Sequence, residues 1–264
     1  MGLKLSDRMQ AIADHVPNGA MLADIGTDHG YIPIWLMLQD RCRKVILTDI
    51  NSGPLKRAAE NIKNYAPGYK DKGRVETRLG NGLEVLEPGD VDTIIIAGMG
   101  GLLIRDILAA RPKVVQELDV LILQPRNNSQ ELRRYLGTLK DFTIVCEEVV
   151  REVDKYSEII TVKRDYGRNI KVPERDLIKK TEMLTGQLDL PEAILEELPA
   201  MYLAGEPYDA LSEHIDRKLA VAEKIVARIE PSASESERNA ALLVEAKERA
   251  RYIQRFADIY KGEK

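Results

Sequence analysis

The stretch that most constrains the fold is residues 20–31, which read AMLADIGTDHGY. An apolar run over residues 21–25 contains one acid, Asp24, and leads into a turn bracketed by Gly26 and Gly30. The apolar segment IPIWLML follows directly. This pattern predicts a strand, a tight turn and a helix, which is the first unit of a nucleotide-binding α/β sheet.

The order of the residues in this turn separates two kinds of nucleotide-binding protein. Dinucleotide-binding dehydrogenases place a glycine first, as in G-x-G-x-x-G. Here Asp24 precedes Gly26, and the order D-x-G-x-x-x-G resembles the first motif of S-adenosylmethionine-dependent methyltransferases, E/D-x-G-x-G-x-G. Asp28 stands where that motif has its central glycine. The alternative is an ordinary strand–turn–helix unit with Thr27 and Asp28 as capping residues.

A second acid occupies a matching place on the next strand. Residues 44–50 form an apolar run that contains Asp49 near its end, twenty-five residues after Asp24. Ligands of open α/β sheets bind at the carboxyl ends of the strands, so the two acids are expected in one crevice. Asp49 can hold both hydroxyls of a ribose in a bidentate hydrogen bond. The alternative is that it caps the helix predicted over residues 52–65.

The third predicted strand, residues 74–79, is followed by Gly80, Asn81 and Gly82. An asparagine between two glycines commonly forms a turn. In methyltransferase sheets this loop passes the adenine of the cofactor, where the amide of Asn81 can donate to and accept from the edge of the base.

The fourth predicted strand, residues 92–97, is apolar throughout after its first two residues, as expected of a central parallel strand, and leads into the sequence GMGG at residues 98–101. Met99 is the one side chain in this loop, and it is expected either to pack on a base or to fill the core. The loop has no acid, proline or aromatic residue, so it lacks the N/D-P-P-Y/F/W motif of enzymes that methylate exocyclic amino groups of bases.

The fifth predicted strand, residues 118–123, is followed by two candidate substrate contacts, Arg126 and Asn127. An arginine at the carboxyl end of a strand points into the same crevice, where its guanidinium can bind a phosphate or stack on a base. Arg133 and Arg134 lie on the helix that follows and are predicted to be solvated.

Two β-rich runs, residues 142–150 and 156–164, predict a hairpin that closes the sheet. After residue 165 the strand signals stop, and residues 181–198 are predicted to be helical. Two heptad seams joined by a polar turn over residues 231–236 then predict an antiparallel coiled-coil hairpin. The seams are Ile215, Leu219, Ala222, Val226 and Ile229, then Leu243, Ala246, Ala250, Ile253, Ala257 and Tyr260.

Composition and charge exclude several classes of protein. The chain has 264 residues, is 44% hydrophobic and carries a net charge of −4, so it can build a core and has no overall basic footprint for nucleic acid. Any contact with RNA must therefore use a local patch. Cys42 and Cys146 form no C-x-x-C pair, and we expect a reduced, cytoplasmic protein without a bound metal. The longest apolar run is too short to cross a membrane.

Taken together, these motifs resemble the bacterial tRNA (adenine-N1)-methyltransferase family that modifies the adenosine at position 22. The segments that carry the resemblance are LSDRMQAIADHVPNGAMLADIGTDHGYIP, GNGLEVL, IIIAGMGG, LILQPRNN and the two-helix tail. The resemblance implies a seven-stranded, Rossmann-like α/β catalytic domain of the class I S-adenosylmethionine-dependent type over residues 1–165. It also implies an all-α domain over residues 166–264, with tRNA as the partner.

The resemblance also assigns the site. The residues implied to bind S-adenosylmethionine are Asp24, Gly26, Thr27, Asp28, His29, Gly30, Asp49, Ile50, Asn51, Gly80, Asn81, Gly82, Ala97, Gly98 and Met99. Those expected to contact the substrate are Tyr31, Arg126, Asn127 and Arg8. The reaction places a methyl group on the ring nitrogen N1, after which a proton leaves N6. Asp28 and His29 are the nearest titratable candidates to steer that proton, so they are the catalytic hypotheses.

Two other kinds of function stay open at this point. The same cofactor site would serve a methyltransferase that acts on a protein or a small molecule. A non-catalytic RNA-binding protein with a vestigial cofactor pocket is the other alternative. Activity on tRNA separates the first alternative from the family reaction, and binding of the cofactor separates the second.

Overall fold

A computed structural model describes residues 2–69, 73–153, 155–165, 197–199, 202 and 208–262. The chain divides into two compact units, residues 1–170 and residues 171–264. The predicted helical segment over residues 181–198 lies almost wholly outside the described residues. The domain boundary predicted after residue 165 stays a prediction, since Asp165 is the last described residue before Glu197.

The first unit is built on one seven-stranded sheet with the order β3-β2-β1-β4-β5-β7-β6. Its strands are Ala20–Ile25 (β1), Cys42–Asp49 (β2), Val75–Leu79 (β3), Thr93–Met99 (β4), Val120–Pro125 (β5), Phe142–Glu152 (β6) and Lys155–Arg164 (β7). Strands β1 to β5 pair in parallel, whereas β7 runs antiparallel to both β5 and β6. The predicted strand–helix alternation and the closing hairpin are therefore confirmed.

Helices cover both faces of this sheet. Their bounds are Asp7–Asp14 (α1), Tyr31–Leu38 (α2), Ser52–Tyr65 (α3), Gly101–Ala110 (α4), Pro112–Val115 (α5) and Ser129–Leu136 (α6). Successive strand residues point to opposite faces, so Ile95 packs with α1, α2 and α3, while Ile94 and Ile96 pack with α4, α5 and α6. The isoleucine run of β4 is apolar because both of its faces are buried.

The order of the strands places the candidate residues at one edge. From β1 the chain winds outward through β2 and β3 and then returns to β4 on the other side of β1. The crevice between β1 and β4 is thus the point at which the winding direction reverses, and ligands bind there at the carboxyl ends of the strands. The turns after β1, β2, β3, β4 and β5 all meet at this edge.

The second unit contains a helical hairpin of Asp209–Ile229 (α7) and Glu237–Lys261 (α8), joined through the 3₁₀ turn Glu230–Ser232. The end of α8 lies beside the start of α7, since Lys261 Nζ is 2.6 Å from Asp216 Oδ1. The predicted antiparallel hairpin is therefore present. Of the predicted seam, the buried members are Ile215, Ala222, Ala246, Ile253, Ala257 and Tyr260. The heptad pattern missed the fully buried Phe256.

One of the two arginines predicted to be solvated on α6 is buried. Arg133 was expected in solvent, but it is only 6% exposed and donates to Glu147 Oε1 at 2.6 Å and Glu158 Oε2 at 2.5 Å. A buried guanidinium needs such partners, and these come from the hairpin of β6 and β7, which helical spacing on α6 does not reveal. Arg134 is exposed and pairs with Glu131.

Candidate functional site

The turn between β1 and α2 is held by its backbone. Asp24 Oδ2 accepts a 2.6 Å hydrogen bond from Thr27 Oγ1, and the amides of Gly26 and Thr27 both donate to Thr48 O at 2.8 Å. Gly26 has a φ of +73°, and a Cβ there would lie 2.1 Å from Met99 Cε. Only glycine adopts this conformation without strain, so the backbone is bare where the turn passes over the loop after β4.

The carboxyl group of Asp24 is perturbed. Burial raises its pKa from 3.8 to about 6, the hydrogen bond from Thr27 opposes that rise, and the charge of the neighbouring Asp49 adds to it. Asp24 is thus a poorly hydrated carboxylate with a second carboxylate, Asp49, close to it. Such an arrangement favours a ligand that brings positive charge and hydrogen-bond donors.

Asp49 is the second of these carboxylates. Its Oδ1 accepts from the amide of Asn51 at 2.6 Å, and its backbone oxygen accepts from Gly80 at 3.0 Å. Among the residues that the structure describes, Oδ2 has no hydrogen-bond partner. Asn51, rather than Asp49, is the N-cap residue of α3. Ile50 follows Asp49 in sequence, Leu79 is paired with Asp49 on the neighbouring strand β3, and the two side chains are 64% and 59% exposed. This edge of the sheet therefore places a hydrogen-bond acceptor next to exposed apolar side chains.

The loop after β3 is fastened by two arginines. Arg78 donates to Val85 O at 2.8 Å, and Arg111 donates to Glu84 O at 2.9 Å. Within this loop Asn81 Nδ2 donates to Glu84 Oε1 at 3.1 Å. Asn81 thus stands at the crevice with its amide engaged in its own turn, and its predicted contact with adenine stays a prediction.

The loops after β4 and β5, together with the last residues of these two strands, are joined to each other. The amide of Gly98 donates to Gln124 Oε1 at 3.1 Å, and the amide of Arg126 donates to Met99 O at 2.7 Å. The amide of Gly101 donates to Asn127 O at 2.9 Å. Met99 packs with the core on the α4 side, while Arg126 and Asn127 are exposed. The two loops form one floor, which follows Ala97 at the end of the buried part of β4.

The side chains of the β1–α2 turn form a small polar group. Asp28 Oδ1 lies 2.8 Å from Arg57 Nη2 and 3.6 Å from His29 Nε2. The imidazole of His29 stacks on Tyr31, with a centroid distance of 5.2 Å and an interplanar angle of 8°. His29 has a φ of +64°, a conformation that costs a non-glycine residue about 1 kcal/mol or more, and Asn61 donates to its backbone oxygen at 2.9 Å.

The alternative of Thr27 and Asp28 as capping residues is wrong. Gly30 is the N-cap residue of α2, and no side chain caps that helix. Arg8, which was expected to contact the substrate, is partly buried and paired with Glu152 at 3.2 Å. Sequence reasoning also missed Arg57 and Gln124. Gln124 had a signal, because it is a polar residue at the end of an apolar run, whereas nothing in the sequence marks Arg57.

Within the described ranges, no group of three or more His, Cys, Asp or Glu side chains is arranged to hold a metal ion. No helix in that same part of the chain is both long and apolar enough to span a membrane.

The sheet order, the antiparallel β7 and the carboxylates at the ends of β1 and β2 define the class of Rossmann-like methyltransferases. A family model described as "Methyltransferase domain" matches residues 5–160. That match covers more than half of the chain, so the chain belongs to this methyltransferase-domain family.

One curated relative and two solved structures are similar to this chain. The tRNA (adenine(22)-N(1))-methyltransferase of Bacillus subtilis is 38% identical over 152 residues, which is 58% of this chain and 61% of that protein. The matched part thus spans less than two thirds of that relative's length. The crystal structure of the B. subtilis M1A22 tRNA methyltransferase TrmK is 27% identical, with a TM-score of 0.78 over 98% of this chain and 99% of that chain. The crystal structure of Streptococcus pneumoniae Sp1610 in complex with S-adenosyl-L-methionine is 27% identical, with a TM-score of 0.64. The match covers 94% of this chain and 100% of that chain.

Proposed function

We propose that this protein transfers a methyl group from S-adenosylmethionine to N1 of the adenosine at position 22 of tRNA. The observation that carries the proposal is the pair of carboxylates, Asp24 and Asp49, placed at neighbouring strand ends above a floor of bare backbone. The similarity to the B. subtilis tRNA methyltransferase over nearly the whole chain supports the choice of substrate. A tRNA substrate also places the protein in the cytoplasm.

The residues present fit this cofactor. Asp49 offers a carboxylate oxygen for the ribose hydroxyls, with Ile50 and Leu79 exposed beside it for the adenine. Asp24 lies next to this acid and offers negative charge to a cationic ligand. Gly26 has no Cβ, and Met99 Cε fills the space that a Cβ would take, so the turn after β1 and the end of β4 lie in close contact beside these acids. When bound, S-adenosylmethionine supplies a methyl group on a positively charged sulfur, and the protein supplies position and electrostatic field.

Replacing Asp49 with alanine tests the ribose contact. Hydrogen bonds to a charged group contribute roughly 1.5–3 kcal/mol, so we expect the Kd of S-adenosylhomocysteine to rise about 10- to 100-fold. Isothermal titration calorimetry measures it. Asp106→Ala is the matched control, because Asp106 is an exposed acid on α4 that pairs with Arg105. If Asp49→Ala folds as the wild type does and binds the nucleoside as tightly, Asp49 has no part in holding it.

The chemistry at the base needs little from the protein before attack. N1 of adenine carries a lone pair, so the main task is to hold the base and the methyl group in line, and orientation of this kind can lower a barrier by up to about 7–11 kcal/mol. The base must leave its stack in the tRNA, at a cost of about a few kcal/mol. Methylation moves the positive charge from the sulfur to the adenine ring, and the neutral form of the product is reached when N6 gives up a proton. Asp28 and His29 are the proposed acceptors, since they lie 3.6 Å apart at the open end of the turn.

Tyr31, Arg126 and Asn127 are the proposed substrate contacts. Tyr31 directly follows the β1–α2 turn, where its ring stacks on His29 and packs partly against the core. Stacking of a base on an aromatic ring is worth roughly 1–3 kcal/mol, so we expect Tyr31→Ala to lower kcat/KM for tRNA about 10-fold or more without changing the Kd of the cofactor. Tyr31→Phe keeps the ring and is expected to retain most activity. If Tyr31→Ala methylates tRNA normally, the ring does not contact the substrate.

The reaction itself is tested with unmodified tRNA transcripts and S-adenosylmethionine labelled on its methyl group. We expect one methyl group per transcript, mapped by mass spectrometry to N1 of A22, and none in a transcript with guanosine at position 22. Equal labelling of both transcripts would contradict the proposed position. Tight cofactor binding without any labelling of tRNA would point to a protein or a small molecule as the substrate.

A further inference from the structure

A chain of polar contacts leads from α1 through the core to Gly98, near the end of β4. At its centre is Gln124, which is only 3% exposed. Its Oε1 accepts from the amide of Gly98 at 3.1 Å and from Arg8 Nη1 at 3.2 Å, and its Nε2 donates to Pro125 O at 3.1 Å. Gly98 and Arg8 both present donors, so only this orientation of the amide satisfies them.

The outer end of the chain is an ion pair. Arg8 Nε donates to Glu152 Oε2 at 3.2 Å, and the amide of Arg8 lies 3.4 Å from Glu152 Oε1. Burial alone would raise the pKa of Glu152, but hydrogen bonds from Ser6 and from the Arg8 amide, together with the charge of Arg8, hold it below its usual value. Glu152 therefore stays ionised near neutral pH. The guanidinium of Arg8 bridges this carboxylate and Gln124.

The inner end of the chain is the floor of the site. Gly98 has a φ of +76°, and the next residue, Met99, packs beneath the bare backbone of Gly26. The amide of Arg126 donates to the oxygen of Met99. The hydrogen bond from Gly98 to Gln124 thus sets the height and the tilt of the peptide on which the cofactor and the base are expected to meet.

We propose that Arg8, Gln124 and Glu152 are positioning residues for methyl transfer, and that they act by holding the Gly98 peptide. This inference rests on the proposed function and gives Arg8 a role different from the substrate contact that the sequence suggests. A misplacement of about 1 Å at a reacting centre can lower a rate about 100-fold, so a contact outside the site can control it.

The test uses the full-length variants Arg8→Ala, Gln124→Leu, Glu152→Gln and the Arg8→Ala/Gln124→Leu double variant. At saturating cofactor we expect each single variant to lower kcat about 10-fold, with KM for tRNA changed less than about threefold. The double variant should lose little more than either single variant, because both break the same chain. Gln124→Glu keeps an acceptor for Gly98 and Arg8 and is expected to restore most of the rate, which loss of folding would not explain.

A direct contact between Arg8 and an RNA phosphate predicts the opposite pattern. Arg8→Ala would then raise KM and reduce the slope of log K for tRNA binding against log salt by about 1. Glu152→Gln would tighten tRNA binding, since it frees the guanidinium. Either result overturns the positioning role. Lys113→Ala removes an exposed charge on α5, away from the site edge, and is the control.

Hydrogen exchange of the Gly98 amide separates this inference from the proposed function. We expect faster exchange in Gln124→Leu than in the wild type, measured without any substrate. If the wild type is active and the variants have the same Gly98 exchange rate and the same kcat as the wild type, only the positioning role is overturned. A wild type that methylates no tRNA overturns the proposed function and the catalytic role with it, while the exchange rates still report whether Gln124 holds Gly98.

Discussion

Replacing Gly101 with alanine is expected to lower methyl transfer about 100-fold and to destabilise the protein by about 1–3 kcal/mol. A Cβ at this first residue of α4 would lie 2.3 Å from Asn128 O and 2.8 Å from Asn127 O. Both atoms belong to the backbone, so no side chain can move aside to relieve the clash. The loop after β5 must shift instead, and Arg126 shifts with it. Thermal unfolding and initial rates on tRNA measure the two effects.

The matched control is Gly137→Ala, at the end of α6. There the nearest atoms to a new Cβ are backbone oxygens at 3.5 and 3.6 Å, which is ordinary contact. We expect this variant to keep wild-type activity and stability within about 0.5 kcal/mol. An active, stable Gly101→Ala protein would show that the loops after β4 and β5 are not packed as described.

Replacing Asp24 with asparagine is expected to stabilise the protein near pH 7.5 while weakening cofactor binding at least about 10-fold. The pKa of Asp24 is raised to about 6 in the folded state, against 3.8 without the fold. The folded state therefore holds this proton more tightly, and ionisation of Asp24 costs about 2–3 kcal/mol of stability once the pH exceeds 6. Asparagine removes that cost and keeps an oxygen for Thr27.

The size of this stabilisation depends on pH. Below about pH 4 the carboxyl is protonated in both states, so the advantage of Asp24→Asn disappears, and it grows between pH 4 and 6. Urea unfolding at pH 4, 5, 6 and 7.5 measures it. The Kd of S-adenosylmethionine should rise as the pH falls through 6 in the wild type and be less dependent on pH in the variant. A variant that is less stable at pH 7.5 than the wild type would contradict the burial of this charge.

Asp90→Asn is the control, because we expect its effect on the stability at pH 7.5 to be opposite in sign to that of Asp24→Asn. The hydrogen bond from Arg78 lowers the pKa of Asp90, against the effect of burial, so its ionised form stabilises the fold above its unfolded pKa, and this stability is lost as the pH falls. We therefore expect Asp90→Asn to destabilise the protein at pH 7.5.

Most of the sheet could be predicted because its strands are short apolar runs separated by turn residues. The helix predicted over residues 52–65 has those bounds in the structure, and β1 and β2 begin one and two residues earlier than predicted. The acids at the strand ends were visible for the same reason, since Asp24 and Asp49 interrupt apolar runs. Local sequence patterns of this kind determine where strands and helices form, and thereby which residues lie at the ligand-binding edge of a parallel sheet.

Contacts that join distant parts of the chain could not be predicted. The partners of Arg133 lie on β6 and β7, and the partners of Arg8 lie on β5 and β6. Both arginines occupy polar positions on a helix, where solvent is the usual expectation. Only the fold brings a carboxylate or an amide to them.

The most direct test of the account is a crystal structure of this protein with S-adenosylhomocysteine. We predict that the ribose hydroxyls bind Asp49, that the adenine lies beside Ile50, and that the sulfur lies above the floor formed by Gly98 and Met99. Binding of the nucleoside at another edge of the sheet would contradict this prediction. So would side chains that cover the floor while the nucleoside is bound elsewhere.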